Sequence, residues 1–353
     1  MNLPLPESLQ QRLDALGAAP VHSEQLLRNW LWGRPLAAGP RAAEDFLPKR
    51  LREGLTGLHT WLDDQARVAS AHPAQDGSQR WLMALTDGQT VETVLLPRDG
   101  VCVSTQVGCA VGCTFCMTGR DGLLRQLDTM EILAQVAKAR SHRTVRKVVF
   151  MGMGEPAHNL EAVLQAIDAL GTWGGIGHKN LVFSTVGDRR VFERLPHERV
   201  RPALALSLHT TDPVLRRQLL PRAPRIDPAE LVELGEAYAR HTGYPIQYQW
   251  TLIDGVNDSD AEAQALSKLL VGKYAVMNFI PLNEVSGSPY RRPDATRGVE
   301  LVRQLRDHGV LATLRQSAGQ DVEGGCGQLR ARSLQRNSPD TSVVQFANAV
   351  RLD

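Results

Sequence analysis

Cysteines at positions 109, 113 and 116 form a C-x3-C-x2-C pattern inside a glycine-flanked stretch, and no other feature limits the chain so sharply. Four thiolates close a cubane iron-sulfur cluster, whereas three leave one iron without a protein ligand and open to a small molecule. The aminocarboxylate end of S-adenosylmethionine (SAM) can chelate such an iron. Electron transfer from the reduced cluster then breaks the sulfonium bond and releases a deoxyadenosyl radical, chemistry of the kind that proteins hand to cofactors. The competing reading is zinc, with Cys102 or a distant histidine as fourth ligand, although zinc normally takes four ligands in repeated C-x2-C spacings. The spacing fits the cluster better.

A loop of this kind needs a scaffold that gathers loops at one end. From residue 101 short apolar runs alternate with helical segments. The runs are Val101-Cys102-Val103, Val148-Val149-Phe150, Leu181-Val182-Phe183, Ala203-Leu204-Ala205-Leu206, and residues 246–252, 276–280 and 310–314. The helices between them have readable starts at Asp128, at Asn159 and at Asp227-Pro228, the last ending near Gly243. Strand then helix, repeated about six times, means parallel strands with right-handed crossovers. The class is therefore α/β, as a partial (βα)6 barrel or a doubly wound sheet, and both place ligands at the carboxyl ends of the strands. Upstream, Leu9, Leu13 and Leu16, then Leu26, Leu27, Trp30 and Leu31, recur at helical spacing. These patterns divide the chain into a helical accessory domain over 1–80, a hairpin linker over 81–94 around Asp87-Gly88, a core barrel over 95–330, and a tail over 331–353.

With 42% hydrophobic and 22% charged residues in 353, the composition is that of a globular chain. No apolar run approaches a membrane span, and the N-terminus lacks the layout of a signal peptide. Five cysteines, three of them in one octapeptide, are not a disulfide framework, and thiolates suit a reducing compartment. The expectation is a cytoplasmic protein with no membrane partner. A net charge of +2 gives no compositional argument for nucleic acid.

Polar groups recur at the expected strand ends. The second run leads into Met151-Gly152-Met153-Gly154-Glu155-Pro156, where glycine lets the backbone approach a ligand and the carboxylate suits an amino group such as that of SAM. Ser184, Ser207-Leu208-His209 and Asn283 close later strands with hydroxyl, imidazole and amide groups. Cys102 precedes the cysteine loop, and Cys326 lies far downstream in Gly324-Gly325-Cys326-Gly327, a glycine-rich loop in which a thiol can reach, react and withdraw.

With these residues in hand, the chain resembles the RlmN/Cfr family of radical-SAM RNA methyltransferases over residues 91–329. The resemblance is carried by Gln106-Val107-Gly108-Cys109 through Cys116, Thr118-Gly119, the 151–156 segment, Ser207-Leu208-His209, Asp254-Gly255-Val256-Asn257-Asp258 and Cys326-Gly327-Gln328-Leu329. It implies that Cys109, Cys113 and Cys116 hold a 4Fe-4S cluster, and that Gly154, Glu155, Ser184, Ser207, Leu208, His209 and Asn283 contact SAM. It also implies that Cys326 becomes S-methylated, that Cys102 is its thiol partner and that Glu92 is a candidate proton acceptor. The implied substrate is an adenosine of ribosomal or transfer RNA, at carbon 2 in preference to carbon 8. An external electron donor, such as a flavodoxin-type protein, is implied as well; the oligomeric state is not. Carbon 2 of adenine is too electron-poor to attack a sulfonium methyl, which is why a radical route through a cysteine-borne methyl group is needed.

Two stretches depart from the family pattern. Arg315-Gln316-Ser317-Ala318-Gly319 and Val21-His22-Ser23-Glu24-Gln25 stand where relatives tend to be more basic, and fewer cations mean fewer phosphate contacts. Arg120, Arg125, Arg189, Arg190, Arg216, Arg217, Arg291 and Arg292 either rebuild a basic surface or form an ordinary solvated face. Other readings of the motifs are a radical-SAM enzyme acting on a peptide or metabolite, and a metal-stabilised binding module.

Overall fold

Along each core strand, small or polar residues alternate with large apolar ones, and this alternation decides the architecture. The computed structural model describes residues 5–285 and 287–331. Its strands, in chain order, are β1 (Arg67–Pro73), β2 (Gln79–Ala84), β3 (Thr90–Leu96), β4 (Gly100–Cys102), β5 (Gln106–Gly108), β6 (Leu123–Gln126), β7 (Lys147–Phe150), β8 (Leu181–Thr185), β9 (Ala203–Ser207), β10 (Ile246–Leu252), β11 (Ala275–Pro281) and β12 (Ala312–Leu314). The helices are α1 (Glu7–Ala15), α2 (Pro20–Leu31), α3 (Ala43–Phe46), α4 (Lys49–Asp64), α5 (Thr129–His142), α6 (Leu160–Thr172), α7 (Arg189–Arg194), α8 (Pro213–Leu219), α9 (Pro228–Thr242), α10 (Asp260–Leu270) and α11 (Ala295–Asp307).

Ten strands form one sheet in the order β1-β2-β3-β4-β7-β8-β9-β10-β11-β12. From β4 to β12 every pairing is parallel and follows chain order. The order never reverses, so the sheet has no switch point and is not doubly wound. It is the partial barrel, with a short seventh parallel strand, β12, at its edge.

Register aligns the alternation across strands. One face carries Arg80, Val94, Cys102, Val149 and Val182, and continues through Ser184, Ala205, Gln247, Ser207, Gln249, Asn278 and Thr313. Glu92, two residues from Val94, shares it. The opposite face carries Phe150, Phe183, Leu204, Leu206, Tyr248, Trp250, Met277 and Phe279, all buried with the apolar stripes of the helices in one continuous core. Burial of each large side chain there contributes roughly 1.5–3 kcal/mol. The small and polar face is thereby turned inward.

Residues 67–80, expected within the helical region, instead form β1 and begin β2. The helices end at Asp64, and an antiparallel meander β1-β2-β3-β4 extends the sheet. The register shift between Val68 and Ser70 is a bulge that breaks strict alternation, the signal by which a strand is read. Leu9, Leu13, Leu26, Leu27, Trp30 and Leu31 do face inward as their spacing requires, and they join the same core as the barrel. The expected start of α5 is present as a capping box: Asp128 accepts from the Glu131 amide at 2.8 Å while Glu131 accepts from that of Asp128 at 3.0 Å. Gly243, with φ +72°, terminates α9. Of the proposed tail, residues 332–353 lie outside the described residues.

The cysteine-bearing loop leaves the barrel between β5 and β6, which pair as a hairpin. Gly108 has φ +78°, and a Cβ there would stand 2.1 Å from the Gly122 carbonyl oxygen. Left-handed backbone at a non-glycine residue costs about 1–3 kcal/mol before any clash is counted. We therefore expect Gly108→Ala to lower the melting temperature of the apoprotein and to reduce iron uptake on reconstitution; an unchanged melting curve would mean that the hairpin is not held this tightly.

Candidate active site

Three sets of contacts fix the cysteine loop above the strand ends. The Thr114 amide donates to the Leu219 carbonyl at 3.0 Å and the Arg222 amide to that of Val111 at 3.3 Å, tying the loop to the end of α8. The Met117 amide donates to the Gly327 carbonyl at 2.7 Å, and the Thr118 hydroxyl to that of Leu329 at 2.7 Å, tying it to the Cys326 segment. Phe115 packs edge-on against His209, with ring centroids 4.9 Å apart. Cys113 and Cys116 border an apolar cluster made by Cys109, Val111, Phe115, Val186, Leu219, Leu220, Ile253 and Leu282.

Burial pushes the Cys109 thiol up to about 12 and that of Cys113 well above its ordinary value, and both are raised further by the other cysteines of the loop. Thiols that oppose one another's ionisation fit a cationic metal core, which deprotonates coordinating sulfur outright. Among the described residues no three His, Cys, Asp or Glu side chains converge as the ligands of a single ion do.

The expected SAM contacts collect at the carboxyl ends of neighbouring strands: Gly154 and Glu155 after β7, Ser184 in β8, Ser207, Leu208 and His209 at β9, and Asn283 after β11. Glu155 is buried; its oxygens accept from the amides of Ala157 at 3.1 Å and Val186 at 2.9 Å, and burial pushes its carboxyl up to about 7. Its own amide donates to Gln106 Oε1 at 2.7 Å. His209 has φ +64°, its Nδ1 accepts from the Thr251 amide at 3.0 Å, and burial pushes it down to about 3, so the imidazole stays neutral. Asn283 donates to Ser317 Oγ at 2.8 Å and to the Cys326 carbonyl at 2.9 Å, leaving its Oδ1 buried without a protein partner. A buried acceptor of this kind is what a ligand N–H or O–H satisfies.

The outlying pair, Cys326 and Cys102, meets the cysteine loop here. The Met117–Gly327 hydrogen bond seats the Cys326 segment against the cysteine loop, and negative charge on Cys326 would raise the Cys102 thiol as charge on Cys116 would raise that of Cys326. Cys326 is open to solvent; desolvation by the surrounding protein raises its thiol while the Ser317 hydroxyl lowers it. Cys102 is buried and its thiol is raised by that burial.

Glu92 is 1% exposed and fully engaged. One oxygen pairs with Arg80 Nη1; the other accepts from the amides of Arg330 at 2.7 Å and Ala331 at 3.0 Å. Arg80 Nε also donates to the Val322 carbonyl at 2.7 Å, and Asp76 accepts from the Gly319 amide at 3.0 Å. Residues 315–331 are thus a strap from β12 at one edge of the sheet to the meander at the other. Sequence analysis reads only the glycine-flanked stretch around Cys326 as a loop in which a thiol can move, and the backbone groups that fasten the longer segment leave no pattern in the sequence.

Arg80, Gln106, Asn257 and Arg216 were not singled out as site residues. Asn257 donates to the carbonyls of His209 at 2.7 Å and Thr251 at 2.8 Å, holding two strand ends together. Arg80 carried a signal, an inward-phased charge in an alternating strand. Of the arginines considered as a surface, Arg216 is buried. Arg125, Arg189 and Arg190 are paired with acidic side chains.

A sequence profile of the Radical SAM superfamily matches residues 103–265, the span that carries the cysteine loop and most of the strand-end groups. The chain is 68% identical over 330 residues to a "Probable RNA methyltransferase" of Thiobacillus denitrificans, covering 94% of this chain and 91% of that protein. A protein of the same description from Pseudomonas aeruginosa is 63% identical, covering 93% and 96%. The crystal structure of a radical SAM methyltransferase from Sphaerobacter thermophilus superposes with a TM-score of 0.80 at 38% identity, covering 92% of this chain and 97% of that one. The chain belongs to this family of radical SAM RNA methyltransferases.

Two outcomes follow from the geometry. A carboxyl that stays protonated up to about 7 when folded, but ionises near its ordinary 4.5 when unfolded, makes the folded state bind more protons between those values. That stability is present at low pH and lost as pH rises through the window. Urea unfolding of the apoproteins should show Glu155→Gln gaining on wild type by about 3 kcal/mol between pH 4.5 and 8; a pH-independent gap would refute the raised value. In hydrogen exchange, the amides of Arg330 and Ala331 should be protected in wild type and exchange at least tenfold faster in Glu92→Ala, with equal rates ruling out the clamp.

Proposed function

We propose that the protein methylates a ring carbon of adenosine in ribosomal or transfer RNA, carbon 2 in preference to carbon 8, through an S-methylcysteine at Cys326. The single observation that carries this reading is that the Cys326 segment is bonded to the cysteine loop at two points just after the thiol, through Gly327 to Met117 and through Leu329 to Thr118, since a radical SAM enzyme without a carrier has no use for a thiol at that point.

Cys109, Cys113 and Cys116 would hold a 4Fe-4S cluster, and Glu155, with Gly154, Ser184, Ser207, Leu208, His209 and Asn283, would hold SAM. Together these cofactors supply the methyl group and the radical that activates it. Glu155, close to half-ionised at neutral pH, gains a full charge when an ammonium group arrives beside it. His209, kept neutral, offers hydrogen bonds without repelling a sulfonium. Asn283 bonds the Cys326 carbonyl and so links the SAM edge to the carrier.

Cys326 accepts the methyl group on sulfur and, after loss of one hydrogen atom from that methyl, bonds to the base through its carbon; the ring hydrogen leaves as a proton, and the unpaired electron would return to the cluster. Release requires the carbon-sulfur bond to break. The Cys102 sulfur attacks the Cys326 sulfur; a disulfide forms, the electron pair of the broken carbon-sulfur bond remains on the methyl carbon, and the proton that the Cys102 thiol gives up goes to that carbon. Both Glu92 oxygens are already occupied by Arg80 and two amides, which argues against Glu92 as acceptor of the ring proton. A reducing cytoplasm and a flavodoxin-type donor would reset the disulfide and supply the electron. Among the described residues no helix is long and apolar enough to cross a membrane.

Anaerobically reconstituted protein given SAM, a reductant and ribosomal or transfer RNA should yield methyladenosine on nucleoside mass spectrometry. Cys326→Ala should lose the product entirely while keeping its iron. Turnover in Cys326→Ala would assign the protein to carrier-free radical chemistry, and wild type with zinc in place of iron would make it a metal-stabilised binding module.

A further inference from the structure

α8 spans seven residues and buries a guanidinium. Arg216 is 4% exposed, and its Nη2 donates to the carbonyls of Val186 and, at 3.0 Å, Ser207, which lie at the ends of β8 and β9. Its Nε is buried and has no partner. Among the described residues no carboxylate forms an ion pair with it. This sets it apart from Arg80, the other deeply buried arginine among the described residues, which has Glu92.

A buried cation left unpaired costs several kcal/mol, so proteins provide it with an anion or do not bury it. Burial pulls Arg216 down to about 10, and the groups acting to hold it charged are Cys113 first and then Glu155. Glu155 already accepts two amides and the Thr185 hydroxyl. The guanidinium is not the end of a mobile side chain, since two strand-end carbonyls hold it. α8 is fastened to the cysteine loop through Thr114 and Leu219 on the backbone, and Leu219 and Leu220 pack into the apolar cluster around the cysteines. The fold therefore holds a guanidinium on the carbonyl of Val186, a residue whose side chain packs with Cys109 in the apolar cluster that Cys113 and Cys116 border.

We propose that Arg216 is the counter-charge of the cluster held by Cys109, Cys113 and Cys116, and that it sets the cluster's reduction potential by stabilising the reduced state. The inference rests on the cluster ligation proposed above. A four-iron core with three thiolates carries one net negative charge when oxidised and two when reduced, so a cation fixed nearby favours the added electron. Exclusion of water by the surrounding leucines keeps the effect from being screened. The two carbonyls that accept from Nη2 hold the guanidinium in place while Nε remains for the anion.

The test is an EPR-monitored dithionite titration of reconstituted wild type, Arg216→Met and Arg216→Lys, without SAM. Arg216→Met should be harder to reduce, the equilibrium constant for taking up one electron falling about tenfold, or about 59 mV for a one-electron couple. Arg216→Lys, which keeps the charge, should stay near wild type. Equal potentials in Arg216→Met and wild type, at equal iron and sulfide content, overturn the proposal. Unchanged potential with weakened SAM binding also overturns it and gives the guanidinium to the SAM carboxylate. If Arg216→Met retains no cluster, Arg216→Lys decides: retention with lysine supports the charge, and loss with lysine assigns the residue to its two carbonyl bonds. Wild type that binds no iron at all refutes the cluster ligation itself, a result separable from the others by metal analysis.

Discussion

The clamp on Glu92 is the interaction on which the site depends. A seven-strand parallel sheet does not close on itself, so one side of the barrel is left without a wall. Residues 315–331 supply it by crossing from β12 to the meander, and they are held there at the buried carboxylate that takes two amides and Arg80. Breaking a buried pair by removing one partner costs about 3–5 kcal/mol, which makes this a far stronger fastening than the exposed ion pairs elsewhere, each worth about 0–1 kcal/mol. The strap then carries Cys326 to a place fixed from three sides, by Asn283, by the cysteine loop and by Glu92.

The inner face of the sheet brings unlike chemistry together by a simple rule of register. Parallel pairing in chain order aligns every second residue, so Cys102, Ser184, Ser207, Gln249 and Asn278 share one surface with Arg80 and Glu92. Because helices cover the other face, the polar row has only the loops and the strap above it. Charges placed in such a space act over longer distances than at the surface. Glu155, His209 and the thiols of Cys102, Cys109, Cys113 and Cys326 are displaced toward their neutral forms by burial, whereas Arg216 is a buried guanidinium with no carboxylate in an ion pair with it among the described residues. The site is therefore poised to receive ionic cofactors, and its unsatisfied groups are those that such cofactors would complete.

Much of this was legible in the chain. The C-x3-C-x2-C spacing, the strand-end groups and the glycine-flanked Cys326 are local patterns, each with a chemical meaning that survives without coordinates. The apolar runs predicted the parallel strands, and Asp128 and Gly243 predicted helix boundaries, because caps are set by residues within one turn. β1 was missed because its bulge disturbs the period on which strand reading rests. Arg216 was misread as surface because an arginine in a short polar helix looks the same whether the helix lies on solvent or on a cysteine loop.

By itself the sequence determined the chemistry available: which thiols, which carboxylates, and a barrel to gather them, since those follow from residue type and short-range period. Only the tertiary structure decided who meets whom. Cys326 is 210 residues from Cys116, and Glu92 finds its partners at Arg80, Arg330 and Ala331 through a strap whose path no local pattern encodes. Contacts between backbone amides and a distant carboxylate leave no mark on residue type, because every residue except proline carries the same amide. That is why the ingredients of the site could be read from the chain while its wiring had to be seen.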